Sequence, residues 1–187
     1  MTIPPRDLQT ALIVEDHPLF SDALAMTLRA VVGIGNVVTA DRLEAALQRL
    51  DAGAVPDVVV LDLNLPDVDG LDGLIRLRAA LGDVPVVVVS SLADNRVIGA
   101  ALAAGAAGFV PKHARREVFR AAFDAVREGR PYLPEGYVPP VVTEAAPDNA
   151  LARLALLTKA QANILQLVCA GRLNKQIAFE WGSPKPR

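Results

Sequence analysis

From residue 10 to about residue 128 the chain alternates between two apolar patterns. Short runs with little polar alternation fall at 10–15, 36–40, 57–62, 84–90 and 107–110, mostly rich in Val, Ile and Leu. Continuous runs of this kind predict strands covered on both faces, as in a parallel sheet. Between them the apolar residues take helical spacing. Leu19, Ala23, Leu24 and Leu28 mark a first helix, Leu43, Ala46, Leu47 and Leu50 a second, and Leu71, Leu74, Ile75, Leu77 and Leu81 a third. An Ala-rich stretch from Asp94 to Ala104 predicts a fourth, and Val118, Phe119, Ala122 and Val126 a fifth. Asp41 and Asp94 stand where N-caps belong, and Gly53, Gly82, Gly105 and Gly129 where helices should stop. Five βα repeats with short connections predict an α/β fold, a doubly wound parallel sheet with right-handed crossovers.

After Gly129 the pattern fails. Residues 131–150 hold five of the fourteen prolines and no helical stripe, which predicts an extended linker. Helical spacing resumes near residue 150 with Leu151, Leu154, Leu157, Ile164, Leu165 and Val168, and the sequence closes on GSPKPR, which cannot continue a helix. The expected division is a domain over 1–130, a Pro-rich linker over 131–150 and a short α-helical segment over 151–187.

Charge follows the same division. Residues 1–129 carry 12 Lys and Arg against 17 Asp and Glu, whereas residues 151–187 carry 6 against 1. An acidic front and a basic tail suit a cation at one end and a polyanion at the other. The 187 residues are 52% hydrophobic, ample for a packed core, yet no apolar run approaches the ~18 residues of a membrane span. With no basic-then-apolar leader at the start, the expectation is a cytoplasmic protein without a membrane partner. Cys169 is the only cysteine and lies in an apolar helical pattern, so it reads as a buried thiol and no intrachain disulfide forms. His17 and His113 are far apart, and with no further ligand pattern neither is assigned to a metal.

Four of the apolar runs end on residues suited to phosphoryl chemistry: Glu15 and Asp16 after ALIV, Asp62 after DVVVL, Ser90 at the end of VPVVVVS, and Lys112 after GFVP. In a parallel sheet all strand C-termini share one edge, where ligands bind, so these distant residues should meet. Asp16 and Asp62, assisted by Glu15, offer the hard oxygen ligands that Mg²⁺ takes. A carboxylate beside such a cation can act as a nucleophile towards phosphorus. Lys112 can neutralise a phosphoryl oxygen as a point charge, and Ser90 can donate a hydrogen bond to another. Singly, each has an ordinary account as a cap or a solvated charge. A phosphohydrolase using Asp62, with Asn64 two residues on, is a second reading, although such nucleophiles normally follow the first strand of a core.

The tokens LIVEDHPLF, VVLDLNLPDVDGLDGL, VVVVSSLAD and ALAAGAAGFVPK resemble the receiver domains of two-component response regulators over residues 9–130. The resemblance implies a flavodoxin-like sheet of order 2-1-3-4-5. It implies Asp62 as phosphoacceptor, supplied by a sensor histidine kinase, with Glu15, Asp16, Asp62 and the main-chain carbonyl of Asn64 around Mg²⁺. Ser90 matches the switch hydroxyl, Ser91 the small residue after it, Phe109 the switch aromatic and Lys112 the lysine of the family. A receiver catalyses only its own phosphorylation and dephosphorylation and is otherwise no enzyme; it commonly forms a homodimer.

DHPLF and GFVPK are most similar to the NarL/LuxR subgroup. LTKAQANILQLVCAGRLNKQIA, residues 157–178, resembles the start of that subgroup's helix-turn-helix, the DNA-binding unit for transcription control. Only its first two helices match, so the expected output domain lacks a recognition helix. Arg172 and Lys175 are then left as weak contacts to DNA phosphates, which position but do not specify. Three accounts stay open: a frame change after Phe179, a piece of a longer protein, or a stub with another role. In the last case the receiver would act without DNA, as a dimerising competitor or a sink for phosphoryl groups.

Overall fold

A computed structural model of the protein describes residues 7–139. The expectations for the rest of the linker, the C-terminal helices, Cys169, Arg172 and Lys175 fall outside those residues. Five strands, β1 (Thr10–Val14), β2 (Asn36–Ala40), β3 (Val58–Leu61), β4 (Val86–Ser90) and β5 (Gly108–Pro111), form one wholly parallel sheet in the order β2-β1-β3-β4-β5. Five helices connect and flank them: α1 (Pro18–Thr27), α2 (Leu43–Asp51), α3 (Asp72–Leu81), α4 (Asn95–Ala103) and α5 (Arg116–Arg127). A π-helical turn, Leu28–Val32, extends α1 before Gly33 ends it.

The unbroken apolar runs follow from burial on both sides. Leu12, Val14, Val59, Leu61, Val86, Val88 and Phe109 face one core with Leu43 and Ala46 of α2, Leu74, Leu77 and Leu81 of α3, and Ile98 and Ala101 of α4. Their alternates Ala11, Ile13, Val58, Val60, Val87, Val89 and Val110 face a second core with Leu24 of α1 and Phe119, Ala122, Phe123 and Val126 of α5. With period 2 along each strand and helices on both faces, neither alternate set can be polar. β2 is the exception. At the sheet edge, most of it is exposed, including Val38.

The helix signals hold unevenly. Gly53, Gly82, Gly105 and Gly129 take positive φ at the expected stops (87°, 60°, 92° and 70°). Asp94 caps α4, its Oδ1 accepting from the backbone N–H of Arg96 and of Val97 at 2.9 Å each. Asp41 does not cap α2; it pairs with Arg42, and the α2 amides of Leu43 and Glu44 instead donate to the Asp67 carboxylate at 3.1 and 2.9 Å. Leu19, expected on the buried stripe of α1, is 87% exposed.

The described part of the stretch after α5 is tied to the sheet and then turns at Glu135–Gly136, where Tyr137 N donates to Pro134 O at 3.2 Å. Tyr132 forms a parallel bridge beside Gly108: its N–H donates to Ala107 O at 3.0 Å, and its carbonyl accepts from Phe109 N at 3.2 Å. A Cβ on Gly108 would stand 3.0 Å from Tyr132 Cβ, so the close approach requires glycine there.

Candidate functional site

The sheet ladder carries the site residues. Beyond the last β1 residue, Glu15 N donates to Ala40 O at 2.9 Å; beyond β3, Asp62 N donates to Val14 O at 3.0 Å; beyond β5, Lys112 N donates to Ser90 O at 3.0 Å. Each chemically active residue is therefore fixed by its neighbouring strand at the carboxyl edge of the sheet. Glu15, Asp62 and Ser90 are buried, as a side chain in the mouth of a two-layer core must be.

Lys112 joins the acidic residues. Its Nζ lies 2.7 Å from Glu15 Oε2 and 2.9 Å from Asp62 Oδ2, and 4.7 Å from the centroid of the Phe20 ring on α1. Burial pulls the Lys112 ammonium towards a lower pKa, but hydrogen bonds to Asp62 and Glu15 and their charges outweigh it and leave the pKa raised. The lysine is thus a fixed cation clamped between two carboxylates, with an aromatic face above it.

The acids are not equally satisfied. Glu15 Oε2 meets Lys112, while Oε1 accepts from the backbone N–H of His17 at 3.1 Å and lies 3.1 Å from His17 Nδ1. Asp16 Oδ1 and Asp62 Oδ1 are buried without a hydrogen-bond partner. His17 Nδ1 comes within 2.8 Å of Asp16 Oδ1, but the contact lacks the alignment of a hydrogen bond. Two orphaned carboxylate oxygens in one mouth suit a hard cation. Glu15, Asp16, His17 and Asp62 each place one donor atom within 4.8 Å of the others.

The remaining expected residues lie at or near this edge. Ser90 Oγ accepts from Leu92 N at 3.2 Å, and Ser91 beside it is exposed. Asn64 is exposed in the loop after β3. Phe109 is fully buried in the α2–α3–α4 core, in an inward arrangement. Sequence reasoning missed two side chains. His17 was set aside for want of a ligand pattern, yet it directly follows Glu15–Asp16 at a strand end, and that adjacency was the available signal. Phe20 left no comparable signal, because its place over Lys112 depends on how α1 crosses the sheet. His113, the other histidine, is outside the cluster.

A doubly wound parallel sheet with a lysine-clamped acidic mouth at its carboxyl edge defines a class of small α/β domains that place their chemistry at strand ends. Residues 11–124 match the response regulator receiver domain family. The chain belongs to that family. A glycerol metabolism activator from Pseudomonas putida is 32% identical over 174 residues, which cover 90% of this chain and 79% of the relative. Among solved structures, a LuxR family DNA-binding response regulator from Silicibacter pomeroyi superposes with a TM-score of 0.61 at 34% identity, covering 70% of this chain and all of that one. The signal receiver domain of a NarL response regulator from Mycobacterium tuberculosis gives 0.59 at 29%, covering 67% of this chain and all of that one. The similarity is to the NarL/LuxR type of regulator. Among the described residues no helix is long and apolar enough to cross a membrane.

Proposed function

We propose that this chain receives a phosphoryl group on Asp62 from a sensor histidine kinase. The observation that carries the reading is the asymmetry of the Asp62 carboxylate: Oδ2 is held by Lys112 at 2.9 Å, and the buried Oδ1 has no hydrogen-bond partner. A carboxylate held in this way is buried and oriented by a paired cation, a condition for nucleophilic attack on phosphorus.

In the transfer, a carboxylate oxygen of Asp62 bonds to phosphorus as the bond from phosphorus to the kinase's histidine nitrogen breaks, and that nitrogen keeps the electron pair. Negative charge then lies on the phosphoryl oxygens. Lys112 has two carboxylate partners, so it can stay on Glu15 while exchanging Asp62 for a phosphoryl oxygen. Ser90 Oγ accepts a backbone hydrogen bond and keeps its own proton to donate to a second oxygen. That donation would draw the β4–α4 loop inward over the already buried Phe109, the proposed switch pair being Ser90 and Phe109. Asp16 and Asp62, with their orphaned oxygens, fit Mg²⁺, and Glu15 and the main-chain carbonyl of Asn64 complete the proposed set. Bound Mg²⁺ offsets the repulsion between the attacking carboxylate and the phosphoryl oxygens.

The output we assign is control of transcription, the role named for several relatives, by a cytoplasmic protein that pairs through its receiver. In this reading residues 1–130 receive the signal, 131–150 link, and the sequence of 151–187 matches only the first two helices of a helix-turn-helix, so Arg172 and Lys175 would give no more than weak contacts to DNA phosphates. The alternative is a receiver that acts without DNA, as a dimerising competitor or a sink for phosphoryl groups. Incubation with acetyl phosphate and Mg²⁺ should add one phosphoryl group to the intact mass, and Asp62→Asn should abolish the addition. An unmodified wild-type protein would overturn the assignment of Asp62.

A further inference from the structure

We infer that His17 is a nitrogen ligand of the cation in this mouth, which therefore favours a transition metal such as Mn²⁺ or Co²⁺ over Mg²⁺ more than an all-oxygen site would. The inference rests on the reading of the site as a divalent-cation pocket and names a ligand that reading does not contain. Three observations support it.

His17 occupies the N-cap position of α1 with extended backbone, yet its side chain accepts nothing from the helix amides. Its imidazole is turned the other way, with Nδ1 2.8 Å from Asp16 Oδ1 and 3.1 Å from Glu15 Oε1. Its backbone N–H on Glu15 Oε1 fixes that direction.

Second, the oxygens beside it are short of partners. Asp62, with a side chain 1% exposed, leaves Oδ1 without a hydrogen-bond partner, and Asp16 Oδ1 likewise accepts no hydrogen bond, having only the His17 ring beside it. Lys112 takes Asp62 Oδ2 and Glu15 Oε2, which leaves the other oxygen of each carboxylate, with Asp16 and His17, to face a cation. Third, the size is right. Metal–ligand bonds of about 2.1–2.2 Å put opposite ligands about 4.3 Å apart, and one donor atom from each of Glu15, Asp16, His17 and Asp62 already lies within 4.8 Å of the other three. Closing by about half an ångström would seat an ion. Imidazole suits transition metals such as Zn²⁺ and adds little for Mg²⁺; Mn²⁺ shares the preference of Mg²⁺ for carboxylate, carbonyl and water but takes a nitrogen ligand more readily than Mg²⁺ does. The side chain is 67% exposed, so its replacement leaves the core untouched.

The test uses the metal-free full chain and its His17→Ala variant, titrated separately with Mg²⁺ and Mn²⁺. Pulsed EPR of the Mn²⁺ complex should show nitrogen coupling of an imidazole in the wild type and none in His17→Ala. The ratio of Mn²⁺ to Mg²⁺ affinity should fall at least about tenfold in the variant. Absence of the nitrogen coupling in the wild type, or a ratio that moves by less than about twofold, would overturn the His17 assignment. If Mg²⁺ still binds in that case, the Asp16–Asp62 cation site stands without His17. If neither ion binds the wild type, both readings of the cation site fail together, whereas phosphorylation of Asp62 is read separately by mass.

Discussion

Lys112 stands between two buried carboxylates, Glu15 and Asp62, and each contact is short enough for a charge-assisted hydrogen bond. Its value is best seen by removal. In Lys112→Met the volume is nearly kept, but two buried negative charges lose their counter-ion, and breaking a buried pair in this way costs about 3–5 kcal/mol. The variant should therefore melt well below the wild type. It should also recover more of its loss when Mg²⁺ is added, because a ligand that binds only the folded state stabilises by mass action. Thermal melts of both proteins with and without Mg²⁺ check this, and equal Mg²⁺ shifts would argue against a shared charge cluster. At this scale the sequence was legible wherever an active residue closed an apolar run, as Glu15, Asp16, Asp62, Ser90 and Lys112 do. It was silent on side-chain direction: nothing in the string shows that His17 turns from its helix towards the acids, or that Phe20 covers Lys112.

The elements repeat the contrast between local and distant causes. Strand positions were readable to within two residues, since a run that must fill both cores has no polar alternate to blur its ends. Caps were readable only when the capping residue was a sequence neighbour. Asp94 is the residue directly before its helix and accepts from two of its amides; Asp41 lies one residue further out, with Arg42 in the cap position of α2, and is held by Arg42. The first amides of α2 are satisfied by Asp67, from the loop that follows β3, 24 and 23 residues away. Asp67→Ala should thus cost about 1 kcal/mol, as should Asp94→Ala, whereas Asp41→Ala should stay within about 0.5 kcal/mol. Urea unfolding midpoints of the three variants decide it; a large loss for Asp41→Ala with none for Asp67→Ala would reverse the assignment. Leu19 departs for a related reason. Helical spacing marks a stripe of four residues, but only Leu24 and Leu28 of it are buried; Leu19 and Ala23 are exposed, and in the first turn Phe20 takes the inward place, packed against the second core.

Across the whole molecule, the carboxyl edge of the sheet is kept for chemistry, and the amino edge is locked. Asp57 supplies the lock: its Oδ2 accepts from Gln9 N at 2.9 Å, Thr10 N at 2.7 Å and Thr10 Oγ1 at 2.8 Å, while its own N–H donates to Thr10 O and to Thr10 Oγ1 at 3.0 Å each. The starts of β1 and β3 are thereby aligned, and the register that brings Asp62 beside Glu15 and Asp16 begins there. Partial burial raises the Asp57 pKa, but the hydrogen bonds from Thr10 and Gln9 outweigh it and hold it below the ordinary carboxylate range. A carboxyl with a lowered pKa in the folded state stabilises fully above its unfolded value of about 3.9, and that contribution fades as pH falls through the folded pKa. Asp57→Asn removes the charge from three donors and should cost about 1–3 kcal/mol near neutral pH. The gap between variant and wild type should then narrow as pH drops below about 4, because the wild-type carboxyl becomes neutral as well. Every other titrating group is common to both proteins and cancels in the difference. Paired urea titrations from neutral to acid pH measure that difference, and a gap that stays constant down to the lowest pH would show that Asp57 is valued for its shape and not its charge.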